Sequence, residues 1–256
     1  MRTAPLLPFV MVLLAGCSVM DANGEQARLS AQAALSAAEQ GGAALRLARA
    51  ARDVHDYPAA INLYRSVITA NPADTDTVVE LGLTQLEAGQ IAEGVATFQT
   101  VPTGSKSELK AQLGLARASL MQSQPATALA YADRAVAIDA HSTAALVGRG
   151  VALDLLGRHA EAQTSYRGLL QIDPRDIPAR SDLALSLAIT GGFSEAIAIM
   201  TPIARAPTAT PRLRQTLALI YGLKGDIAMA RGISRMDLDD RTTDNNLKFF
   251  ALVRSQ

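Results

Sequence analysis

The chain has 256 residues, and its 24 basic and 24 acidic side chains give a formal net charge of zero at pH 7. This balance argues against a nucleic-acid-binding protein, because electrostatic binders of DNA or RNA usually carry a clear basic excess. Hydrophobic residues make up 49% of the chain and aromatic residues only 4%, with no Trp. A composition rich in Ala and Leu favours helices over strands, so it predicts an all-α protein with a buried core.

The N-terminus has the pattern of a secretory signal peptide over residues 1–16. Met1-Arg2 supplies one positive charge, an apolar run follows from Leu6 to Leu14, and small residues precede Cys17. The apolar run is shorter than the roughly 20 residues that a membrane-spanning helix needs. Cys17 is the only cysteine of the chain, which excludes an internal disulfide.

The sequence Leu14-Ala15-Gly16-Cys17 resembles the lipobox of bacterial lipoproteins. That resemblance implies cleavage before Cys17, lipidation of its thiol and amino group, and stable attachment to a membrane through several acyl chains. By the same resemblance, Ser18 points to the periplasmic face of the outer membrane. The alternative is an ordinary signal peptide followed by a chance cysteine. Residues 17–40 are predicted to be the lipidated Cys and a tether whose composition also permits a helix.

From residue 41 the chain divides into equal repeat frames, which begin at positions 41, 75, 109, 143, 177 and 211. The eighth and twentieth positions of every frame are Ala or Gly, which would let two helices approach closely. The eighth positions are Ala48, Gly82, Ala116, Gly150, Ala184 and Ala218, and the twentieth are Ala60, Gly94, Ala128, Ala162, Ala196 and Ala230. The fifteenth position, between the two helices, is Gly in four frames and His55 or Ser123 in the others.

This pattern resembles the tetratricopeptide repeat, whose period is about 34 residues, over residues 41–244. Thr143–Asp176 is the best single copy. The resemblance implies an all-α solenoid of about six helix pairs, A and B, stacked in a right-handed superhelix. The sixth repeat is predicted to be degenerate, because Ser234 and Asp237 stand where bulky residues are expected. Residues 245–256 are predicted to form a C-terminal capping helix that places Leu247 and Phe250 towards the last repeat, with its N-cap within Thr242–Asp244.

No residue pattern indicates catalysis or a cofactor. His55, His141 and His159 lack partners at metal-ligand spacing and are predicted to be solvated histidines in turns. The acidic run Asp237–Asp240 is predicted to be a solvated connector, because the spacing of a calcium loop is missing. The chain shows no nucleophile motif, so we expect a protein that is not an enzyme and has no small-molecule substrate.

In tetratricopeptide arrays, helix A positions 2, 5, 9, 12 and 13 line the concave surface, and here these positions are mostly apolar. An apolar groove suits an amphipathic helix or hydrophobic segment of a protein partner, although the tether, the C-terminal helix or a second subunit are alternative occupants. The predicted groove residues are Val79, Leu83, Leu86, Leu113, Arg117, Leu120, Met121, Val147, Val151, Leu155, Leu185, Ile189 and Leu219.

The C-terminal half is similar to TadD-type proteins, the tetratricopeptide lipoproteins of the tight-adherence system that assembles Flp pili. The most specific part of this similarity is the run Thr210-Pro211-Arg212-Leu213-Arg214-Gln215-Thr216-Leu217-Ala218-Leu219. The resemblance implies a non-enzymatic outer-membrane scaffold that helps to place or assemble the secretin or another pilus component. The alternative is a lipoprotein adaptor that recruits peptidoglycan hydrolases or other envelope proteins.

Overall fold

The computed structural model describes residues 40–254, and in this range the chain is helical with no strand. The predicted signal peptide, Cys17 and nearly all of the predicted tether lie outside the described residues. The helices are α1 (40–53), α2 (Tyr57–Ala70), α3 (Thr75–Glu87), α4 (Ile91–Gln99), α5 (Glu108–Met121), α6 (Pro125–Ile138), α7 (Thr143–Leu155), α8 (His159–Ile172), α9 (Ile177–Ile189), α10 (Phe193–Ala204), α11 (Pro211–Lys224), α12 (Ile227–Ser234) and α13 (Asp240–Arg254).

The described helices fall into two compact units, with α1 and α2 before Asp74 and α3–α13 from Thr75 onward. In the second unit the helices form five consecutive A–B pairs followed by α13. Each pair packs against the next along the chain, which is the arrangement of a solenoid. The predicted all-α repeat fold is therefore confirmed.

Short polar residues begin several A helices at the same position of the repeat. Ser142, Asp176 and Thr210 are N-cap residues whose side-chain oxygens accept the backbone N–H of the residue three positions later. Such caps satisfy an amide that has no partner within the helix. Pro211 then occupies the first turn of α11, where its missing N–H removes no helical hydrogen bond.

The small residues at the eighth and twentieth positions are buried in all twelve cases. At Gly82 a β-carbon would lie 2.6 Å from Phe98 Cε1, closer than two carbons can approach. The ring of Tyr166 lies over Gly150 in the same way. A β-carbon at Gly94 would also lie 3.1 Å from the backbone carbonyl oxygen of Gly82. The close approach of helices A and B thus depends on small residues, as the sequence predicts.

Glycines in this array should respond to substitution according to their packing. Gly150→Ala is expected to lower the free energy of unfolding by about 1–3 kcal/mol, because Tyr166 must shift away from the new methyl group. Gly168→Ala in α8 is the matched control, since no atom lies within 4 Å of its β-carbon. That variant should gain about 0.5–1 kcal/mol from helix propensity. Urea unfolding followed by circular dichroism measures both, and two changes of the same sign would contradict the packing.

The turns between helices A and B adopt a left-handed backbone at the fifteenth position of every frame. Gly89, Gly157, Gly191 and Gly225 have φ between 72° and 94°, and His55 and Ser123 adopt φ of 63° and 57° at the equivalent positions. Glycine takes this conformation without steric cost, whereas other residues rarely adopt it. The turn geometry is therefore kept even where glycine is absent.

The C-terminal helix begins earlier than predicted. Asp239 accepts the backbone N–H of Thr242 at 2.7 Å, so α13 starts at Asp240 and Thr242–Asp244 lie inside it rather than capping it. Leu247 and Phe250 are buried in a cluster with Ala230 of α12, and Phe250 also packs over Gly222 of α11. Helix α13 therefore covers the last helix pair. Among residues 40–254, no helix has both the length and the apolar character needed to cross a membrane.

Candidate functional site

The predicted groove residues of helices α5, α7 and α9 lie on one stripe of each helix, which we call the groove stripe. Apart from the adjacent pair Leu120–Met121, they are three, four, seven or eight positions apart on each helix, which places them along the same helical face. The groove stripe consists of Leu113, Arg117, Leu120 and Met121 on α5, Val147, Val151 and Leu155 on α7, and Leu185 and Ile189 on α9.

Residues from α5 and α7 of the groove stripe meet around one depression of about 390 Å³. Leu113, Leu120 and Val147 supply apolar walls, Arg117 supplies a guanidinium, and Asp176 at the N-terminus of α9 also contributes. A surface of this kind offers apolar contact together with one polar anchor, the usual combination in a binding site.

Three large apolar side chains of the groove stripe are exposed, one on each helix. Met121 is 44% exposed, Leu155 62% and Ile189 59%, and the three occupy the same position of consecutive repeats. Single exposed apolar residues are ordinary, but their recurrence as a row at one position of three consecutive A helices is typical of a binding surface. The other apolar residues of the groove stripe are half-buried beneath or beside this row.

Two predicted groove residues are not on the surface. Val79 and Leu86 of α3 are only 2% and 1% exposed, and both pack in a core cluster with Phe98 and Leu115. Gly94 leaves the space that Leu86 occupies, because a β-carbon there would lie 2.8 Å from Leu86 Cδ2. The prediction was therefore wrong for these two side chains.

Two further predicted residues lie at the margins of packed clusters. Leu83 is half-buried against the cluster that contains Phe98, so it contributes to the core as well as to the surface. Leu219 is half-buried against Leu247 and Phe250, so α13 reaches the predicted groove at the last helix pair. Exposed apolar surface at the predicted positions therefore concentrates on α5, α7 and α9.

A polar cluster lies at the end of α7, where the apolar pattern is interrupted by Asp154. Its Oδ1 lies 2.8 Å from His159 Nδ1 and accepts Ser186 Oγ at 2.7 Å, while its Oδ2 accepts the Tyr166 hydroxyl at 3.1 Å. His159 was predicted to be a solvated turn residue, but it is half-buried and contacts Asp154. These bonds tie helices α7, α8 and α9 together.

Burial and nearby carboxylates shift the ionisation of groups in this cluster. Burial raises the pKa of Tyr166 well above its ordinary value, and the charges of Asp154 and Asp182 raise it further. Burial also raises the pKa of Asp182, an effect that Arg212 opposes and that Asp154 and Asp176 reinforce. Tyr166 therefore stays neutral, and its hydroxyl donates a hydrogen bond to Asp154. Within residues 40–254, no group of three His, Cys, Asp or Glu side chains is arranged to hold a metal ion.

The sequence profile of the tetratricopeptide repeat matches residues 45–108, 79–143 and 113–177. Together the matches cover 45–177, more than half of the chain, and each starts one repeat after the last. The chain belongs to the tetratricopeptide repeat family. Repeats of this family are protein–protein interaction modules, and proteins of this fold are generally non-catalytic scaffolds.

Individual similar proteins agree with this family. A tetratricopeptide repeat protein from Parabacteroides merdae superposes with a TM-score of 0.65 at 17% identity, over 76% of this chain and 77% of that one. A tetratricopeptide repeat protein from Thermus thermophilus gives 0.57 at 21% identity, over 70% and 98%. At these identities the likeness concerns the fold.

A curated relative matches a shorter part of the chain. The uncharacterized protein y4yS of Sinorhizobium fredii strain NBRC 101917 / NGR234 is 35% identical over 81 residues. That alignment spans 32% of this tetratricopeptide chain and 44% of the relative. The match therefore covers less than half of the relative's length.

The last tetratricopeptide repeat is held together by the acidic run that was predicted to be a solvated connector. The Arg214 guanidinium donates to both oxygens of Asp237 and to the carbonyl of Ala209, and Gln215 donates to Asp237 at 3.3 Å. Asp239 caps α13 and Asp240 pairs with Arg235 at 2.8 Å. The prediction was wrong for Asp237, because Arg214 on the preceding A helix reaches the position that bulky residues fill in other repeats, whereas Asp239 and Asp240 are exposed as predicted.

Acid should weaken this junction. The hydrogen bond from Arg214, aided by Gln215, lowers the pKa of Asp237 below its ordinary 3.8. The stabilisation is therefore fully present above about pH 4 and is lost as pH falls through the lowered pKa. Asp237→Asn is expected to lower the melting temperature at pH 7 by a few degrees, with the difference from the parent narrowing below pH 4. Glu87→Gln, on an exposed side chain, is the control. A difference for Asp237→Asn that stays constant down to pH 2.5 would contradict this role.

Proposed function

We propose that this protein is a lipid-anchored scaffold on the periplasmic face of the outer membrane, where it helps to place or assemble the secretin of a Flp pilus system. The observation that carries the proposal is the exposed apolar row of the groove stripe in a chain of interaction repeats. Such a surface is suited to holding a protein segment. The choice of secretin or another pilus component as partner rests on the similarity of residues 210–219 to TadD-type proteins.

Several residues of the run 210–219 have a structural role in the last repeat. Thr210 caps α11, and Arg214 and Gln215 bind Asp237, so these residues hold the last repeat together. Arg212 differs, because its side chain is exposed and forms no ion pair with a described residue. We assign to Arg212 a surface role within this run.

The mechanism is binding and tethering, without covalent chemistry. Acyl chains on Cys17 would confine the protein to the membrane surface, since each buried CH₂ contributes about 0.8 kcal/mol. Confinement raises the effective concentration of the groove stripe for a partner that is delivered to the same membrane. A modest affinity of the groove stripe is then sufficient to position that partner.

The anchor is tested by Cys17→Ser. Because the thiol that accepts lipid is removed, the variant should incorporate no labelled palmitate and should move from the membrane to the soluble fraction. Ser18→Ala is the matched control and should remain labelled and membrane-bound. Labelling and sedimentation of Cys17→Ser equal to the parent would rule out the anchor.

The pilus role is tested in a strain that lacks the protein. Secretin multimers should be reduced or found away from the outer membrane, and expression of the parent protein should restore them. Normal secretin rings in the absence of the protein would overturn the pilus role. A wall defect with normal rings would instead support the hydrolase adaptor.

A further inference from the structure

The exposed row of the groove stripe has a regular spacing that specifies the shape of its partner. Met121, Leu155 and Ile189 occupy the same position of three consecutive A helices, and α5 contacts α7 as α7 contacts α9. Helices packed side by side have axes about 8–10 Å apart, so the row presents one apolar side chain at about that interval.

The spacing of residues on one face of an α-helix comes closer to this interval than the spacing in an extended strand. Residues seven apart on a helix lie about 10.5 Å apart along its axis and deviate by only about 20° from the same face. In a strand, residues on one face lie about 7 Å or about 14 Å apart, which falls on either side of the interval. A partner helix that crosses α5, α7 and α9 can thus place one apolar residue against each.

The charges beside the row favour an acidic partner. Lys110, Arg117 and Arg212 carry positive charge at the groove positions of α5–α11, and Asp154 carries the negative charge. Lys110 binds Asp76 at 3.1 Å, and Asp154 already accepts three hydrogen bonds. The charge of Arg212 acts on the Asp182 carboxyl. Asp176, beside Arg117 in the depression, accepts the backbone N–H of Ala179 as an N-cap. Arg117 is exposed and forms no ion pair with any residue in 40–254, so it is the cation that we assign to a partner carboxylate.

We infer that the groove stripe binds an amphipathic helix with apolar residues seven positions apart and acidic residues along the edge that faces Arg117. One of its apolar side chains enters the depression formed by Leu113, Leu120 and Val147, where Arg117 is placed to pair with a neighbouring carboxylate. This inference rests on the proposed function, in that it specifies the segment of the partner that the scaffold holds.

Synthetic peptides of about 20 residues test both the spacing and the charge. One peptide carries Leu at intervals of seven with Glu at the flanks, a second has Lys in place of Glu, and a third keeps the Glu flanks but spaces Leu at intervals of five. Binding to the full chain is measured by fluorescence anisotropy. We expect the first peptide to bind at least about tenfold more tightly than either of the others.

Two variants locate the site. The double variant Leu155→Asp with Ile189→Asp should abolish binding of the first peptide. The variant Arg117→Glu should reverse the charge preference, so that the Lys peptide binds more tightly than the Glu peptide. Equal affinity for the three peptides, or binding that the Leu155/Ile189 variant leaves unchanged, would overturn the inference. Those results would leave the proposed function intact, because that function is judged separately by the secretin multimers.

Discussion

Replacing Tyr166 by alanine is expected to lower the free energy of unfolding by about 3–5 kcal/mol. Tyr166 is fully buried in α8, where its ring covers Gly150 and joins a cluster with Leu153, Leu183 and Met200. Truncation leaves a cavity between two consecutive repeats that rigid helices cannot close. Urea unfolding followed by circular dichroism measures the loss.

The same variant should also change the shape of the unfolding curve. In a repeat array each repeat is stabilised mainly by its neighbours, so a weak central interface uncouples the two sides. We expect the single transition of the parent to broaden or divide in Tyr166→Ala.

The variant Tyr166→Phe separates the contribution of ring packing to stability from that of the hydroxyl group. It keeps the packing and removes only the hydrogen bond to Asp154, which retains His159 and Ser186 as partners. The expected loss is about 1 kcal/mol. A loss in Tyr166→Phe as large as in Tyr166→Ala would show that the polar cluster, rather than ring packing, holds these repeats together.

Placing aspartate at both Leu155 and Ile189 is expected to reduce assembled secretin at least about tenfold while leaving helicity unchanged. Both side chains are more than half exposed, so the substitutions introduce charge on the groove stripe without opening the core. Leu83 is a less suitable position, because it packs against a buried cluster and its substitution would also destabilise the fold. Immunoblots of outer-membrane secretin multimers measure the effect.

The matched control is the double variant Ile138→Asp with Ile172→Asp. These residues end helices α6 and α8 at equivalent positions of consecutive repeats and are 45% and 41% exposed. The control therefore places the same two charges on exposed apolar residues outside the groove stripe. Secretin should remain at the parental level. An equal loss in both double variants would point to a general effect of surface charge rather than to a binding surface.

The parts of the fold that could be predicted from sequence are those that the backbone imposes on every repeat. Two helices that touch need a small residue at the point of contact, and the buried Ala or Gly at the eighth and twentieth positions follow from that requirement. The turn between helices A and B needs a residue with left-handed backbone to reverse the chain direction. His55 and Ser123 therefore adopt this conformation although they are not glycine.

The sequence predictions were wrong at positions where a repeat departs from the common pattern of side chains. Val79 and Leu86 were predicted to line the groove because helix A positions 5 and 12 do so in tetratricopeptide arrays, but Gly94 and the cluster around Phe98 provide space for them in the core. Asp237 was predicted to be solvated because the run lacks the spacing of a calcium loop, and the prediction missed Arg214, which lies 23 positions earlier on the A helix of the last pair. Such pairings depend on which side chains approach each other in the folded repeat, which the pattern of small and bulky positions does not specify.

Contact between the groove stripe and a pilus-assembly partner can be captured in cells by site-specific photocrosslinking. A photoreactive residue is placed at Leu155, at Ile189 and, as the control, at Ile172. We predict a crosslinked product that contains the secretin or another pilus component from Leu155 and Ile189, and none from Ile172. Crosslinks to such a component from Ile172 alone, with none from Leu155 or Ile189, would contradict that contact.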